Sequence, residues 1–448
     1  MNRTLTKVLI ANRGEIAVRI ARTCREMGIG TVAVHSVDDD ESQVVRMADE
    51  SVRIGPTPSK RSYLDIAAVV GAALQRGADA VHPGYGFLSE DPDFARVCVD
   101  EGLTFIGPPP GVLEQLGDKA SARRIMSEAG LPLLPGTLDS VTDVEEAERL
   151  AGEIGYPLIV KAAAGGGGRG MRIAHRPADL RTAYLEARAD AHAFFADGRV
   201  YMERYLDRAR HVEVQVLCDA HGAAVHLGER DCSVQRRQQK LIEETPAPGL
   251  PDDLLERIRQ AAITGARAAG YVGAGTFEFL AQDGEFYFME VNSRIQVEHA
   301  VTEMVTDIDL VREQIQVARG APLAQELLDV RPRGVSLECR VNAEDPKRGF
   351  APTPGLLEEF HPPGGPFVRV DTHMSAGSRI SPAYDSLLAK VVVWAPDRDT
   401  AVLRMRRALE EFRISGKGVR TTIPFLLAVL ARKEFAEAEH TTSLVDTM

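Results

Sequence analysis

Residues 285–298 read Glu-Phe-Tyr-Phe-Met-Glu-Val-Asn-Ser-Arg-Ile-Gln-Val-Glu. From Glu290 onward the even positions are Glu290, Asn292, Arg294, Gln296 and Glu298, and the odd ones are Val291, Ser293, Ile295 and Val297. If the segment stays extended, a side-chain period of two sets all five large polar groups on one face. Such a face fits a binding site, although a solvated strand with i,i+2 charge pairing reads the same. The preceding run, Gly275–Leu280, carries Glu278 and is joined through Gln282-Asp283-Gly284. A three-residue hairpin loop with its glycine left-handed pairs Glu278 opposite Phe288. Glu290 is then a same-face diagonal neighbour of Glu278, about 7–8 Å away at the backbone. A loop one residue shorter or longer breaks that parity. With Asn292 the two carboxylates make an oxygen-only donor set, which favours Mg²⁺ or Mn²⁺ over zinc.

Upstream, Lys161-Ala-Ala-Ala-Gly-Gly-Gly-Gly-Arg-Gly-Met171 lies between two strand-like runs, Leu158–Ala162 and Met171–Ala174. Successive glycines let backbone N–H groups turn toward a phosphate chain without a Cβ in the way. The run lacks the G-K-[ST] ending of a Walker loop; here the lysine precedes the glycines, at a strand end. A mobile surface loop is the alternative, and a lid closing over nucleotide is the reading the flanking lysine and arginine favour.

Further toward the N-terminus, Lys7–Asn12, Thr31–Ser36, Ala78–His82 and Leu103–Ile106 read as buried strands, alternating with helical patterns such as Ile16 to Met27 and Tyr63–Gln75. This alternation predicts a parallel sheet with helices on both faces. The first turn, Asn12-Arg13-Gly14-Glu15, is not G-x-G-x-x-G, so dinucleotide binding is not indicated. One helix is expected over about Val112–Ala129. From about Tyr205 alternating strands such as His211–Leu217 predict an antiparallel or mixed sheet, interrupted by a long helix over about Asp252–Ala269. The last clear helix spans about Asp399–Glu411.

At 448 residues the chain calls for two or three domains. A hydrophobic share of 44% with 26% charged residues is that of a globular protein. The formal net charge of -12 argues against a nucleic-acid surface. Five scattered cysteines form no C-x-x-C pair and suggest neither zinc nor disulfides. Val8–Ala11 is too short for a signal sequence, and no apolar run approaches the ~20 residues of a membrane span. A cytoplasmic, reducing setting is expected.

Two basic features stay open on their own terms. Gln235-Arg236-Arg237-Gln238-Gln239-Lys240 reads as a solvated charge run, or, standing before the hairpin, as the carrier of an anion-holding Lys240. Arg340, in Glu338-Cys339-Arg340-Val341-Asn342, reads by itself as a structural ion-pair partner, and His211 as an ordinary core or surface histidine.

Taken together, the segments resemble the biotin carboxylase family of the ATP-grasp superfamily over almost the whole chain. The stretches that carry the resemblance are IANRGEIA (10–17), HPGYGFLSE (82–90), GGGGRGM (165–171), HVEVQ (211–215), ERDCS (229–233), GAGTFEF (273–279), the run 290–303 and ECRVNAEDP (338–346). HPGYGFLSE and RIQVEH are specific to biotin-dependent carboxylases and close relatives, not to ATP-grasp enzymes at large. The resemblance implies a multidomain α/β and α+β chain with the ATP-grasp fold. It comprises a Rossmann-like parallel-sheet domain over 1–117, a mobile glycine-rich lid over 118–206, and a core with a mixed or antiparallel sheet over 207–448.

It also implies a ligase that carboxylates biotin from bicarbonate and ATP through carboxyphosphate, as the first half-reaction of an acyl-CoA carboxylase. By position, Lys119 and Lys161 look like the phosphate lysines, with the Gly167 and Gly168 backbone in the lid. Glu203, Arg204, Tyr205 and Leu206 look like an adenine hinge, and His211, Gln235 and Gln238 surround ribose and phosphates. Glu278, Glu290 and Asn292 look like ligands for two Mg²⁺ or Mn²⁺ ions. Lys240, Arg294, Gln296 and Val297 look like the bicarbonate site, Glu298 like the general base, and Arg340 and Tyr85 like the biotin side. The family usually has histidine where this chain has Gln238; an amide cannot become cationic, which implies a modestly weaker hold on ATP. Ala164 replaces a lid glycine and Ala300 a common proline. No A-M-K-M or V-M-K-M biotinylation motif occurs. The expected partners are therefore a separate biotin carboxyl carrier protein, a carboxyltransferase and a second copy of the chain. Two rivals remain: another ATP-grasp ligase working through an acyl phosphate, and a non-catalytic nucleotide sensor.

Overall fold

Lys7–Ile10 (β1), Gly30–Ser36 (β2), Glu50–Gly55 (β3), Ala80–His82 (β4) and Thr104–Phe105 (β5) form a parallel sheet in the order β3-β2-β1-β4-β5. The computed structural model describes residues 3–163 and 170–448; Gly167, Gly168 and the rest of the run 164–169 lie outside them. Four of the five strands carry the apolar runs expected of them. β3 escapes sequence reading because Glu50 and Arg53 interrupt its apolar character at the sheet edge.

Two expected helices change at an aspartate. The first begins at Ile66 rather than Tyr63, because Asp65 accepts the Ala68 N–H as its cap. Tyr63 is freed to stack on Phe87 and to donate its hydroxyl to Asp39. The expected single helix over 112–129 is two helices, Pro110–Gly117 and Lys119–Glu128. Asp118 stands between them in extended conformation and caps Ser121. The break makes Lys119 the first residue of a new helix.

Leu158–Ala162 (β6), Met171–Ala174 (β7) and Val200–Arg204 (β8) form a small antiparallel sheet with β6 central. Eight further strands form an antiparallel sheet. In spatial order they are Glu285–Asn292 (β13), Gly273–Gln282 (β12), Arg210–Cys218 (β9), Ala224–Arg236 (β10), Gln239–Thr245 (β11), Val335–Asn342 (β14), Leu387–Ala395 and Val368–Thr372.

Period two divides this sheet. On its rear face Val212, Val214, Phe277 and Phe279 pack against Leu255, Ile258 and Ala262 of the helix Asp252–Ala268. Each fully buried side chain of this size contributes about 1.5–3 kcal/mol. The alternate residues, among them His211, Glu213, Gln215 and Glu278, are as deeply buried but polar. Buried polar groups need partners, so this front face is committed to an ionic network. Arg398–Glu411 is not the last helix: Ile423–Leu430 follows, and being apolar on almost every side it carries no amphipathic period. Among the described residues, no helix is long and apolar enough to cross a membrane.

Candidate active site

The β12–β13 hairpin folds with a register different from the expected one. Asp283 and Gly284 are both left-handed, at φ 54° and 80°, so the loop has two residues and Gln282 pairs with Glu285. Asp-Gly suits the two positive φ values of that tight turn. A bulge then leaves Met289 unpaired between the Phe279–Phe288 and Glu278–Glu290 pairs. Glu278 and Glu290 therefore stand directly opposite each other, not diagonally, and Phe288 faces Phe279.

The expected extension through 298 also ends early. β13 stops at Asn292, where Glu90 accepts the Ser293 N–H and pairs with the Arg294 guanidinium, each at 2.9 Å. The chain turns through 293–297, and Glu298 stands as the cap of the helix His299–Thr306. Loop curvature, not strand alternation, brings Arg294 through Val297 to the site.

These elements enclose a cavity of about 610 Å³. At one end stand Lys119, Lys161 and Glu290; in the middle are His211, Gln235, Lys240, Glu278 and Asn292; beyond them are Arg294, Gln296, Val297, Arg340 and Tyr85. Gln238 also lines it from the tight turn Arg237-Gln238, where both residues have positive φ. The basic run thus spans the β10–β11 hairpin turn, with Arg237, Gln238 and Gln239 exposed and Lys240 half-buried on β11. Among the described residues, five predicted ones do not line the cavity. Glu203 is buried behind it, holding Lys161 and Arg123. Arg204 reaches the Ile154 carbonyl; its backbone N–H and that of Tyr205 bond Pro135 and Pro157. Tyr205 and Leu206 are likewise absent from the wall. Glu298, fully buried at 0%, lies beneath Lys240 and Arg340.

Lys240 is the centre of the charge network. Its ammonium meets Glu213 at 2.5 Å, Glu298 at 2.6 Å and Glu278 at 2.9 Å. Burial works against its charge, but the three carboxylates hold its pKa well above the usual lysine range. Glu298 experiences the converse. Burial disfavours its ionised form, yet Lys240, Arg340 and Arg230 keep its pKa well below the carboxylate range. The Glu278 Oε1 atom accepts from Lys240, Asn292 (2.8 Å) and Gln296 (3.0 Å), and its other oxygen lies 3.0 Å from His211 Nε2. Arg294 donates to Asn292 at 2.9 Å and to Gln296 at 3.0 Å. Glu290 pairs with Lys119 at 2.9 Å.

The expected metal ligands fit a hard cation. Glu278 and Glu290 offer carboxylates from opposite strand positions, Asn292 adds an amide oxygen, and no thiolate or imidazole is needed. Their negative charge is met here by Lys240, His211 and Lys119. Two tighter groupings, His211–Glu213–Glu278 and Glu213–Cys232–Glu298, occur among the described residues. Both enclose the carboxylates already taken by Lys240, and Arg230 takes Glu213 as well.

Sequence reasoning missed several participants. Glu213 belongs to the same alternation, His211-x-Glu213-x-Gln215, that singled out the 290–298 run, and so was findable. Arg230, which bonds Glu213, Gln215, Thr276 and Thr302, carried only its place in ERDCS. Glu90 carried only its place in HPGYGFLSE, and Glu243 and Lys390 gave no local signal. Lys390 is fully buried, donates to the Val297 carbonyl at 2.6 Å and lies 3.2 Å from Glu15, which in turn accepts the Tyr85 hydroxyl.

The Tyr85 turn has its own supports. Asn12 donates to the carbonyls of Pro83 and Tyr85, each at 2.7 Å. Gly84 has φ +62°, and a Cβ there would meet the Asn12 amide at 2.9 Å. His82 Nδ1 accepts the Gly84 N–H at 3.1 Å. Burial, helped by Arg19, pushes the His82 imidazole down to about 3. The unfolded chain binds a proton there below about 6.5 and the fold excludes it. Stability is therefore intact above that value and falls as the pH drops toward 3, by at most about 1.4 kcal/mol per pH unit. His82→Gln is expected to flatten the loss between about pH 7 and pH 5, read from urea-unfolding midpoints. A slope equal to the parent's would sink the assignment.

Comparison with known proteins follows the same geography. Residues 4–113 match the family model of the biotin carboxylase N-terminal domain, 118–326 that of the carbamoyl-phosphate synthase L chain ATP-binding domain, and 338–447 that of the biotin carboxylase C-terminal domain. The chain is 50% identical to a Nostoc biotin carboxylase over 443 residues, covering 99% of each. It is 49% identical to biotin carboxylase 1 of Bacillus subtilis, covering 99% of this chain and 98% of the relative. The Campylobacter jejuni biotin carboxylase, solved as a β-γ-ATP complex, superposes with a TM-score of 0.97 at 44% identity, covering 99% of each chain. The biotin carboxylase domain dimer of Hydrogenobacter thermophilus 2-oxoglutarate carboxylase, solved with MgADP, ADP and bicarbonate, gives 0.96 at 47% identity and covers 99% and 98%. The chain belongs to the biotin carboxylase family.

Proposed function

We infer that the chain carboxylates biotin with ATP and bicarbonate, giving carboxybiotin, ADP and phosphate. The observation that carries this reading is one cavity with phosphate-type lysines at one end and Arg340 with Tyr85 at the other. Glu278 lies between them beside Lys240, and Glu290 pairs with Lys119 at the lysine end.

Lys119 and Lys161 hold the phosphates. Mg²⁺ supplied with ATP, held by Glu278, Glu290 and Asn292, offsets charge on the transferred phosphoryl group. Lys240 and Arg294 orient bicarbonate in line with the γ-phosphorus and reduce anion–anion repulsion, helped by Gln296 and the Val297 backbone. A bicarbonate oxygen bonds to that phosphorus as its bond to ADP breaks, and Glu298 takes the proton. Carboxyphosphate separates into CO₂ and phosphate. The phosphate takes the ureido proton of biotin, Arg340 stabilises the enolate-like oxygen, and the ureido nitrogen bonds to CO₂. Glu298 is ionised and therefore available, but Lys240 and Arg340 make it a weak base. Bicarbonate and phosphates draw on those same cations, so the base strengthens when substrate is in place.

We propose further that units 1–117, 118–206 and 207–448 act as N-terminal domain, lid and core; each contains one of the three sheets described above. A biotin carrier, a carboxyltransferase and an acyl-CoA acceptor are proposed as partners, with a homodimer as the assembly. The support is membership of the biotin carboxylase family and the dimer described for the Hydrogenobacter domain. The test is radiolabelled bicarbonate with free biotin. Label is expected in carboxybiotin, with ADP release that requires bicarbonate. ADP release driven by ammonia instead would favour a carbamoyl-phosphate type of ligase.

A further inference from the structure

Arg340 is held from two sides. Its Nη2 lies 2.8 Å from Glu298 Oε2 and 2.6 Å from Glu243 Oε1, and Nε donates to the same Glu243 oxygen at 2.6 Å. Glu243 has no direct place in the chemistry: it is fully buried on β11 and does not line the cavity. It stands opposite Glu338 across the β11–β14 ladder. Glu243 Oε2 and both Glu338 carboxyl oxygens are buried without hydrogen-bond partners.

Two buried carboxylates side by side, one held by a single guanidinium and the other with no partner, cannot both stay ionised. Burial lifts Glu338 well above the carboxylate range despite nearby Lys390, and lifts Glu243 to about 7 against the pull of Arg340. The proton belongs on Glu338, the one without a cation in contact, and the charge on Glu243.

The arrangement repeats around Glu298. Lys240 is gripped from behind by Glu213 and Arg340 by Glu243, with Glu298 shared between the two cations. When Glu298 takes a proton from bicarbonate it becomes neutral, and its grip on Arg340 weakens just before biotin needs that guanidinium. Glu243 is untouched by that step.

We propose that Glu243 is a positioning residue: it keeps Arg340 aimed at the biotin end of the cavity through the step in which Glu298 loses its charge. This rests on the roles given above to Glu298 and Arg340. A carboxylate here acts on the second half of the reaction, after ATP has been cleaved.

The readout is the coupling ratio, carboxybiotin formed per phosphate released, which does not depend on how much of a preparation is folded. Glu243→Gln is expected to lower it about tenfold, the scale of a hydrogen bond to a charged group. Glu243→Asp, which keeps the charge, recovers part of it. In an Arg340→Ala background the change at 243 lowers the ratio no further. If Arg340→Ala lowers the ratio but Glu243→Gln leaves it at the parental value, the positioning role is overturned and the Arg340 reading stands. If Arg340→Ala leaves the ratio unchanged, the Arg340 reading falls and takes this one with it. Should Glu243→Gln not fold, Glu243→Asp decides. A drop of about two- to threefold supports the role and a parental ratio overturns it.

Discussion

Glu298→Gln is expected to lower bicarbonate-dependent ATP cleavage by about 10²–10⁴-fold, the range spanned by a positioned general base. Glutamine keeps the length and the acceptor oxygen of the side chain but cannot take the proton. The network tolerates the change: Lys240 retains Glu213 and Glu278, and Arg340 retains Glu243. The fall belongs in kcat, with the ATP KM close to the parent's, because the phosphate-end lysines contact Glu290 and Glu203 rather than Glu298. Steady-state ADP release with bicarbonate varied is the measurement. Cleavage that persists at the parental rate would show that another group takes the proton.

Lys240→Met has a different signature, because it damages stability as well as chemistry. It withdraws the one ammonium shared by Glu213, Glu278 and Glu298, all essentially inaccessible to water. Glu213 keeps Arg230, Glu298 keeps Arg340 and Glu278 keeps His211, but each has lost its nearest or second-nearest cation. Breaking a buried pair from one side costs about 3–5 kcal/mol, mostly as the uncompensated charge left behind. The variant should melt several degrees lower by calorimetry and show no bicarbonate-dependent turnover. A parental melting temperature would mean that water or rearrangement already neutralises these carboxylates.

The sequence made the front of the site legible wherever chemistry rode on a short period. Glu278, Glu290, Asn292, Arg294 and Gln296 were found from alternation and hairpin logic, although the reasoning about geometry was partly mistaken. The loop is one residue shorter than expected, and the bulge at Met289 shifts the register by one more in the same sense. The two irregularities together bring Glu278 opposite Glu290, where a regular hairpin would have made them diagonal neighbours. A bulge leaves no clear mark in composition, so only the structure reveals it. Glu298 was found as part of an extended run, yet it sits at a helix start because Glu90, some two hundred residues earlier, captures the backbone at Ser293.

Residues that act through distant pairing were not legible. Glu243 and Lys390 look like ordinary strand positions until the ladders are known. Within the family resemblance the roles of Lys240 and Arg340 were clear, but their rear partners were not. Asp65 and Asp118, each a single capping aspartate, account for the two helix boundaries that moved.

The order of the large sheet bears on how this site comes into being. Ile242 of β11 pairs with Cys339 of β14, and Arg340 with Lys390 of the next strand. Long stretches of chain must close into loops before those ladders repay the entropy. Glu298, the proposed base, is gripped from both sides of the β11–β14 junction, by Lys240 on one strand and Arg340 on the other. A chain that has built its parallel sheet and its β12–β13 hairpin but not this junction has most of its secondary structure and no catalytic centre. The site depends on a long-range ladder that neither the parallel sheet nor the β12–β13 hairpin supplies.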